Sequence, residues 1–148
     1  MNEQDKRKYH IGTIVSADLT VSNASELKNF YAQVIGWTPK ELKMGDNHGY
    51  ADYIMKDSGG NWAGGVCEAK GVNTGIPPQW IVYINVRDIK DSVEKCKTLG
   101  GKIVKEAFDT EGNYIYAMLQ DPFGAILAVT HVGDEQSQHN QDQNPIQE

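Results

Sequence analysis

Apolar and polar residues alternate along the first regular stretch of the chain, "IGTIVSADLTV" (11–21). Ile11, Val15, Ala17, Leu19 and Val21 are apolar, while Gly12, Ser16, Asp18 and Thr20 are small or polar. A period of two predicts a strand with one apolar face. The pattern then changes. Asn23 with Glu26 three residues on reads as a capping-box helix start. Leu27, Phe30, Tyr31 and Val34 fall on one helical stripe, and Gly36 ends it. Three further strands are expected at about 37–43, 48–56 and 62–69.

The same succession returns 65 residues later. "QWIVYINV" (79–86) is a strand, Asp88 takes the place of Asn23, and "IKDSVEKCKTLGG" should bury Ile89, Val93, Cys96 and Leu99, with Gly101 matching Gly36. Strands at about 102–107, 112–120 and 124–131 follow. The turns "DSGGN" (57–61) and "DPFG" (121–124) correspond, and "KGVNTGIPP" (70–78) is a linker rich in Gly and Pro. Internal repetition of this kind defines the architecture. The expectation is an α+β fold, with two tandem βαβββ modules (10–69 and 79–132) forming an open eight-stranded cleft with outer helices.

The pieces "GTIVSADLTVSNASELKNFYAQVIGW" (12–37), "WIVYINVRDIKDSVEKCKTLGGKIV" (80–104) and "LQDPFGAILAV" (119–129), in this order and spacing, resemble the vicinal-oxygen-chelate superfamily. That superfamily includes glyoxalase I, bleomycin-resistance proteins and extradiol dioxygenases. The resemblance speaks to fold more than to activity.

Alternation assigns faces. Val15, Ala17, Leu19, Val21, Val82, Ile84 and Val86 should pack on the helices, as should Ala51, Tyr53, Met55, Ile115, Ala117 and Leu119. Ser16, Asp18, Thr20, Ile81, Tyr83 and Asn85 should then point into the cleft, joined by Tyr50, Asp52, Ile54, Tyr114, Tyr116 and Met118. A one-residue bulge would invert any of these assignments.

The resemblance also implies four positions at which metal-using relatives carry His, Glu or Gln around an octahedral divalent ion. In this chain they fall on Ser16, Ile81, Ala69 and Ala128, with Glu68 replacing Ala69 if the alignment slips by one. None of the first four is a good ligand. No metal and no other cofactor is expected, although Asp18, alone or with Glu68, could hold an ion weakly in an altered site. His10, His48, His131 and His139 read as surface residues, with His131 near enough to a strand end to reach a cleft mouth.

Composition narrows the partners. A net charge of −6 argues against nucleic acid, which needs a basic face. No apolar run approaches the length of a membrane span, and "MNEQDKRKYH" is followed by no signal-peptide core. Cys67 and Cys96 lie in no metal-type spacing, which fits a reduced, cytoplasmic setting. The first nine residues and the polar tail 133–148 are expected to be loose and disordered, respectively.

The candidate chemistry centres on Asp18, an acid inside a strand of apolar neighbours. It reads either as a satisfied structural carboxylate or as a general base or ligand-binding group. Asp52 either faces water or joins it. The tyrosines either line the cleft for a planar ligand or pack with their hydroxyls at the rim. Trp37, Trp62 and Trp80 read as core or interface, Cys67 as an inert thiol, and "GNWAGG" (60–65) as a turn into a strand. The leading expectation is a protein of the bleomycin-resistance kind, binding a small cationic or aromatic molecule through Ser16, Asp18, Thr20, Asp52, Ile81, Tyr83, Asn85, Tyr116 and Met118. Two alternatives stay open. One is an acid–base enzyme with Asp18 as base and Tyr83 as proton donor. The other is a metal-dependent lyase, isomerase or dioxygenase. The resemblance also implies a homodimer.

Overall fold

A computed structural model describes residues 10–44 and 49–132. The segments expected to be loose, 1–9 and 133–148, fall outside the described residues, as do His48 and His139. The described residues form two compact units, residues 16–81, and residues 82–132 together with 10–15.

The first module runs β1 (Ile14–Val21), α1 (Ala24–Ile35), β2 (Thr38–Met44), β3 (Tyr50–Lys56) and β4 (Trp62–Glu68). Its strands lie in the order β2-β3-β4-β1, with β1 and β4 parallel. A single 3-10 turn, Gly71–Asn73, follows within the linker. The second module repeats the succession as β5 (Trp80–Asn85), α2 (Ile89–Thr98), β6 (Lys102–Phe108), β7 (Tyr114–Gln120) and β8 (Ile126–Thr130), in the order β5-β8-β7-β6. The fold is α+β, and strand, helix and three strands recur as the hydrophobic pattern predicts.

Each helix covers one face of its own module's strands. Ala24, Tyr53, Met55 and Val66 form the first core, with Val21, Tyr31, Trp37, Ala51 and Trp80 against it. Tyr31, Trp37 and Trp80 pack ring to ring, and the Trp80 indole N–H donates to the Tyr31 hydroxyl at 3.1 Å. Ile89, Val93, Ala117, Leu119 and Val129 form the second core.

The repeat extends to its turns. Asp57 accepts from the N–H groups of Gly59 and Asn61, and Asp121 from those of Phe123 and Ala125, at 2.8–3.0 Å. Asp109 does the same between β6 and β7. A carboxylate bonding backbone two and four residues on closes a turn without help from elsewhere. Those N–H groups hold the Asp57 and Asp109 carboxyls below the usual carboxylate range.

Several expectations are corrected. Phe30 and Val34 are exposed, because the core contact of α1 runs through Ala24 and Tyr31. Asn23 makes no side-chain cap, whereas Asp88 accepts from Lys90 N–H. Leu99 lies past the end of α2 and is exposed. The left-handed glycine matching Gly36 is Gly100, one residue early. Gly101 is needed instead for close approach, since a Cβ there would lie 2.4 Å from Cys96 Sγ. Finally, β7 carries a bulge. Ala107 pairs with Tyr116 but Phe108 pairs with Tyr114, so Ile115 is the extra residue. Ile115 turns outward, and Tyr114 packs towards the helix-side core rather than beside Tyr116.

Candidate functional site

In the first module the face of the sheet away from α1 is built by β1, β4 and β3. Asp18 pairs in register with Gly65, and Thr20 with Cys67. Val66 and Val21 point into the helix-side core, so alternation sends Gly65 and Cys67 to the other side. There the Asp18 carboxylate leans over Gly65. A Cβ on Gly65 would stand 2.5 Å from Asp18 Oδ1 and 3.6 Å from Cys67 Sγ. The glycine makes the room that the half-buried carboxylate occupies. Two adjacent glycines inside a strand were the sequence signal for such a close approach. Ser16 and Asp18 are half-buried on β1, and Thr20 is buried.

Asp52 also belongs to this face, and both its oxygens accept hydrogen bonds. Oδ1 accepts from the Glu68 backbone N–H at 2.8 Å, and the Asn73 amide donates to both oxygens at 3.2–3.3 Å. Asn73 donates to the Glu68 carbonyl as well. The Asp52 side chain therefore ties the end of β4 to the 3-10 turn. Asn73, in the linker, gave no sign of this in the sequence. Burial pushes the Asp52 carboxyl up. The Glu68 N–H and Asn73 partly offset this, and the Glu68 charge adds to it.

A raised carboxyl pKa contributes stability below its ordinary value, and that contribution is lost as pH rises through the raised one. An Asp52→Asn variant should therefore gain on the native protein in melting temperature between about pH 4 and about pH 7. Thermal unfolding at the two pH values reads this, and a difference that stays flat or reverses would contradict it.

In the second module the Tyr83 and Tyr116 rings meet edge to face, 5.8 Å apart. Met118 is fully buried. Asn85 is 1 % exposed, and its amide is engaged at both ends. It donates to the His10 carbonyl at 3.3 Å and accepts from the Val132 N–H at 2.9 Å. His131, exposed, lines a shallow hollow with Arg87 and Lys90 at the start of α2.

The donor set does not fit the divalent ion implied by the resemblance. Ser16 offers a neutral hydroxyl. Ile81 is 1 % exposed, Ala128 is fully buried, and neither they nor Ala69 carry a donor side chain. A one-residue slip does not rescue the fourth position. Glu68 follows Val66 to the helix side, where it lines a cavity with Ser25 and Tyr53. Among the described residues no three His, Cys, Asp or Glu side chains cluster closely enough to hold a metal. The first module's face carries two carboxylates, Asp18 half-buried beside Gly65 and Asp52 buried and hydrogen-bonded, set among small polar neighbours.

Comparison with known proteins agrees with this architecture. Proteins of Mycobacterium bovis and Mycobacterium tuberculosis, both provisionally named glyoxylase CFP32, are 28% identical over 133 residues, 86% of this chain and 50% of theirs. The chain thus spans about half the length of these curated relatives. A Streptomyces coelicolor methylmalonyl-CoA epimerase, solved with 2-nitronate-propionyl-CoA, shares the fold at a TM-score of 0.52 and 10% identity, covering 82% of this chain and 98% of that one. A hypothetical protein of Bacillus halodurans aligns at 0.52 and 10%, covering 81% and 94%. No helix among the described residues is long and apolar enough to cross a membrane. The family model for the Glyoxalase/Bleomycin resistance protein/Dioxygenase superfamily matches residues 10–129, both modules from first strand to last, and it is to that superfamily that this chain belongs.

Proposed function

We propose that this chain binds a small organic molecule without the divalent ion that metal-using relatives employ, and that Asp18 anchors the ligand. The observation that carries this reading is the donor set, in which Ile81, Ala69 and Ala128 stand where ligands would be needed and Ser16 offers only a hydroxyl. The carboxylate over Gly65 suits a ligand that presents an N–H or O–H donor, best of all a cationic one.

Metal retention tests the reading directly. Purified protein is incubated with Ni, Mn, Zn or Fe(II), desalted and submitted to elemental analysis. Less than about 0.1 equivalent is expected to remain, because tight sites need several converging donors. Stoichiometric retention would overturn the proposal and favour the metal-dependent lyase, isomerase or dioxygenase. A thermal-shift screen of cationic and aromatic compounds then looks for the ligand.

A second reading, an acid–base enzyme with Asp18 as base, draws on the half-buried setting of the Asp18 carboxylate. It predicts exchange of a ligand C–H for deuterium in D2O, which a binding protein would not catalyse.

A further inference from the structure

On the opposite side of the first module's sheet, where α1 begins, lies a cavity of about 340 Å³. Its walls include Glu41 and Lys43 of β2, Tyr53 of β3, Glu68 at the end of β4, and Lys70. Glu68 is the unusual member. It is 9 % exposed, and among the described residues its Oε2 is a buried atom with no hydrogen-bond partner.

An ionised carboxylate withdrawn from water without a donor is costly, and proteins seldom leave one so. Two lysines share the cavity with it, yet neither forms an ion pair with it among the described residues. Both are exposed at the rim, whereas Glu68 sits inside. Glu41 adds a second carboxylate. Glu41 is exposed like the lysines, so the rim carries one carboxylate and two ammonium groups, and the interior holds one carboxylate short of a donor among the described residues.

We propose that this cavity binds a small zwitterion of the amino-acid class, its ammonium seated on Glu68 and its carboxylate met by Lys43 and Lys70. An ammonium supplies the N–H donor and the charge that Oε2 lacks. The rim lysines repel a second cationic end and attract an anionic one, which favours an amino acid over a diamine. Burial, with the charges of Glu41, Glu68 and Asp52, pushes the Tyr53 hydroxyl up, keeping it protonated and able to donate to the ligand carboxylate. The site lies on the other face of the sheet from Asp18 and does not depend on the function proposed there.

Titrating the ¹⁵N-labelled full chain with γ-aminobutyrate, n-butylamine, putrescine and butyrate tests it. γ-Aminobutyrate should give saturable shifts of the Ala51, Tyr53 and Glu68 amides. n-Butylamine and putrescine should bind at least about tenfold more weakly, and butyrate not at all. Glu68→Gln keeps the shape and removes the charge, and should weaken γ-aminobutyrate at least about tenfold with an otherwise native spectrum. Lys70→Glu, at the rim, should weaken γ-aminobutyrate and spare n-butylamine. No saturable shift with γ-aminobutyrate up to about 50 mM, a range weaker than ordinary small-ligand affinity, would mean that water alone fills the cavity and would overturn the proposal. So would unchanged binding in Glu68→Gln, or putrescine binding as tightly as γ-aminobutyrate.

Discussion

Replacing Asn85 by alanine is expected to cost about 3 kcal/mol of folding stability, the sum of orphaned backbone groups and a small cavity. The residue is 1 % exposed at the end of β5. Its backbone N–H donates to the Thr13 carbonyl and its carbonyl accepts from Gly12, both at 2.8 Å. Its side chain then reaches in two directions, to the His10 carbonyl and the Val132 N–H. One amide thus fastens the chain entering β1 and the chain leaving β8 to the same strand end. Alanine keeps the two backbone bonds and loses the two side-chain bonds, stranding a donor and an acceptor. Urea unfolding followed by tryptophan fluorescence gives the cost. Asn29→Ala serves as control, since Asn29 is exposed on α1 and its amide reaches the Ser25 carbonyl only at 3.5 Å. A cost for Asn85→Ala below about 1 kcal/mol, no larger than an ordinary surface change, would show that the amide is not the fastening it resembles.

Asn85 also shows where sequence reading stops. Alternation along "QWIVYINV" places it on the same side as Tyr83, and from there a ligand contact is a fair expectation. What alternation cannot convey is that two segments distant in sequence, at 10–13 and 132, converge on that side and occupy the amide. The same holds for Asp52, whose partners Glu68 and Asn73 lie 16 and 21 residues away. Local chemistry was legible. The Asp57 and Asp121 turns, both helices and the order of all eight strands follow from hydrophobic period, turn residues and the 65-residue repeat. Departures occur where a register shift intervenes. The extra residue at Ile115 moves Tyr114 to the helix side, and nothing in "NYIYAMLQ" marks a bulge. Glu68 is a similar case. Its oxygen, without a partner among the described residues, is a consequence of burial, which depends on α1, β2 and β3 together.

Substituting Gly65 with alanine is expected to weaken ligand binding about 100-fold while changing stability by less than about 1 kcal/mol. A Cβ on Gly65 would stand 2.5 Å from Asp18 Oδ1. The obstacle is the end of a side chain rather than backbone, so the carboxylate can turn aside at small cost. Gly101 is the contrast, since its Cβ would also meet the Gln120 carbonyl oxygen at 2.9 Å, and that atom has nowhere to go. Alanine at position 65 also reduces the conformational freedom of the unfolded chain, which offsets part of the displacement. Only the position of the Asp18 carboxylate should therefore be lost. A hydrogen bond from a cationic donor to a correctly placed carboxylate contributes up to about 3 kcal/mol, which corresponds to the expected factor of 100. The measurement pairs Gly65→Ala with Asp18→Asn and compares both with the native protein, using the strongest compound from the thermal-shift screen. Equal losses in the two variants, with native melting temperatures in its absence, would mean that the ligand reads the placement of Asp18. Undiminished binding in both would return Asp18 to the structural role that its sequence context equally allows and leave the helix-distal face without an anchor.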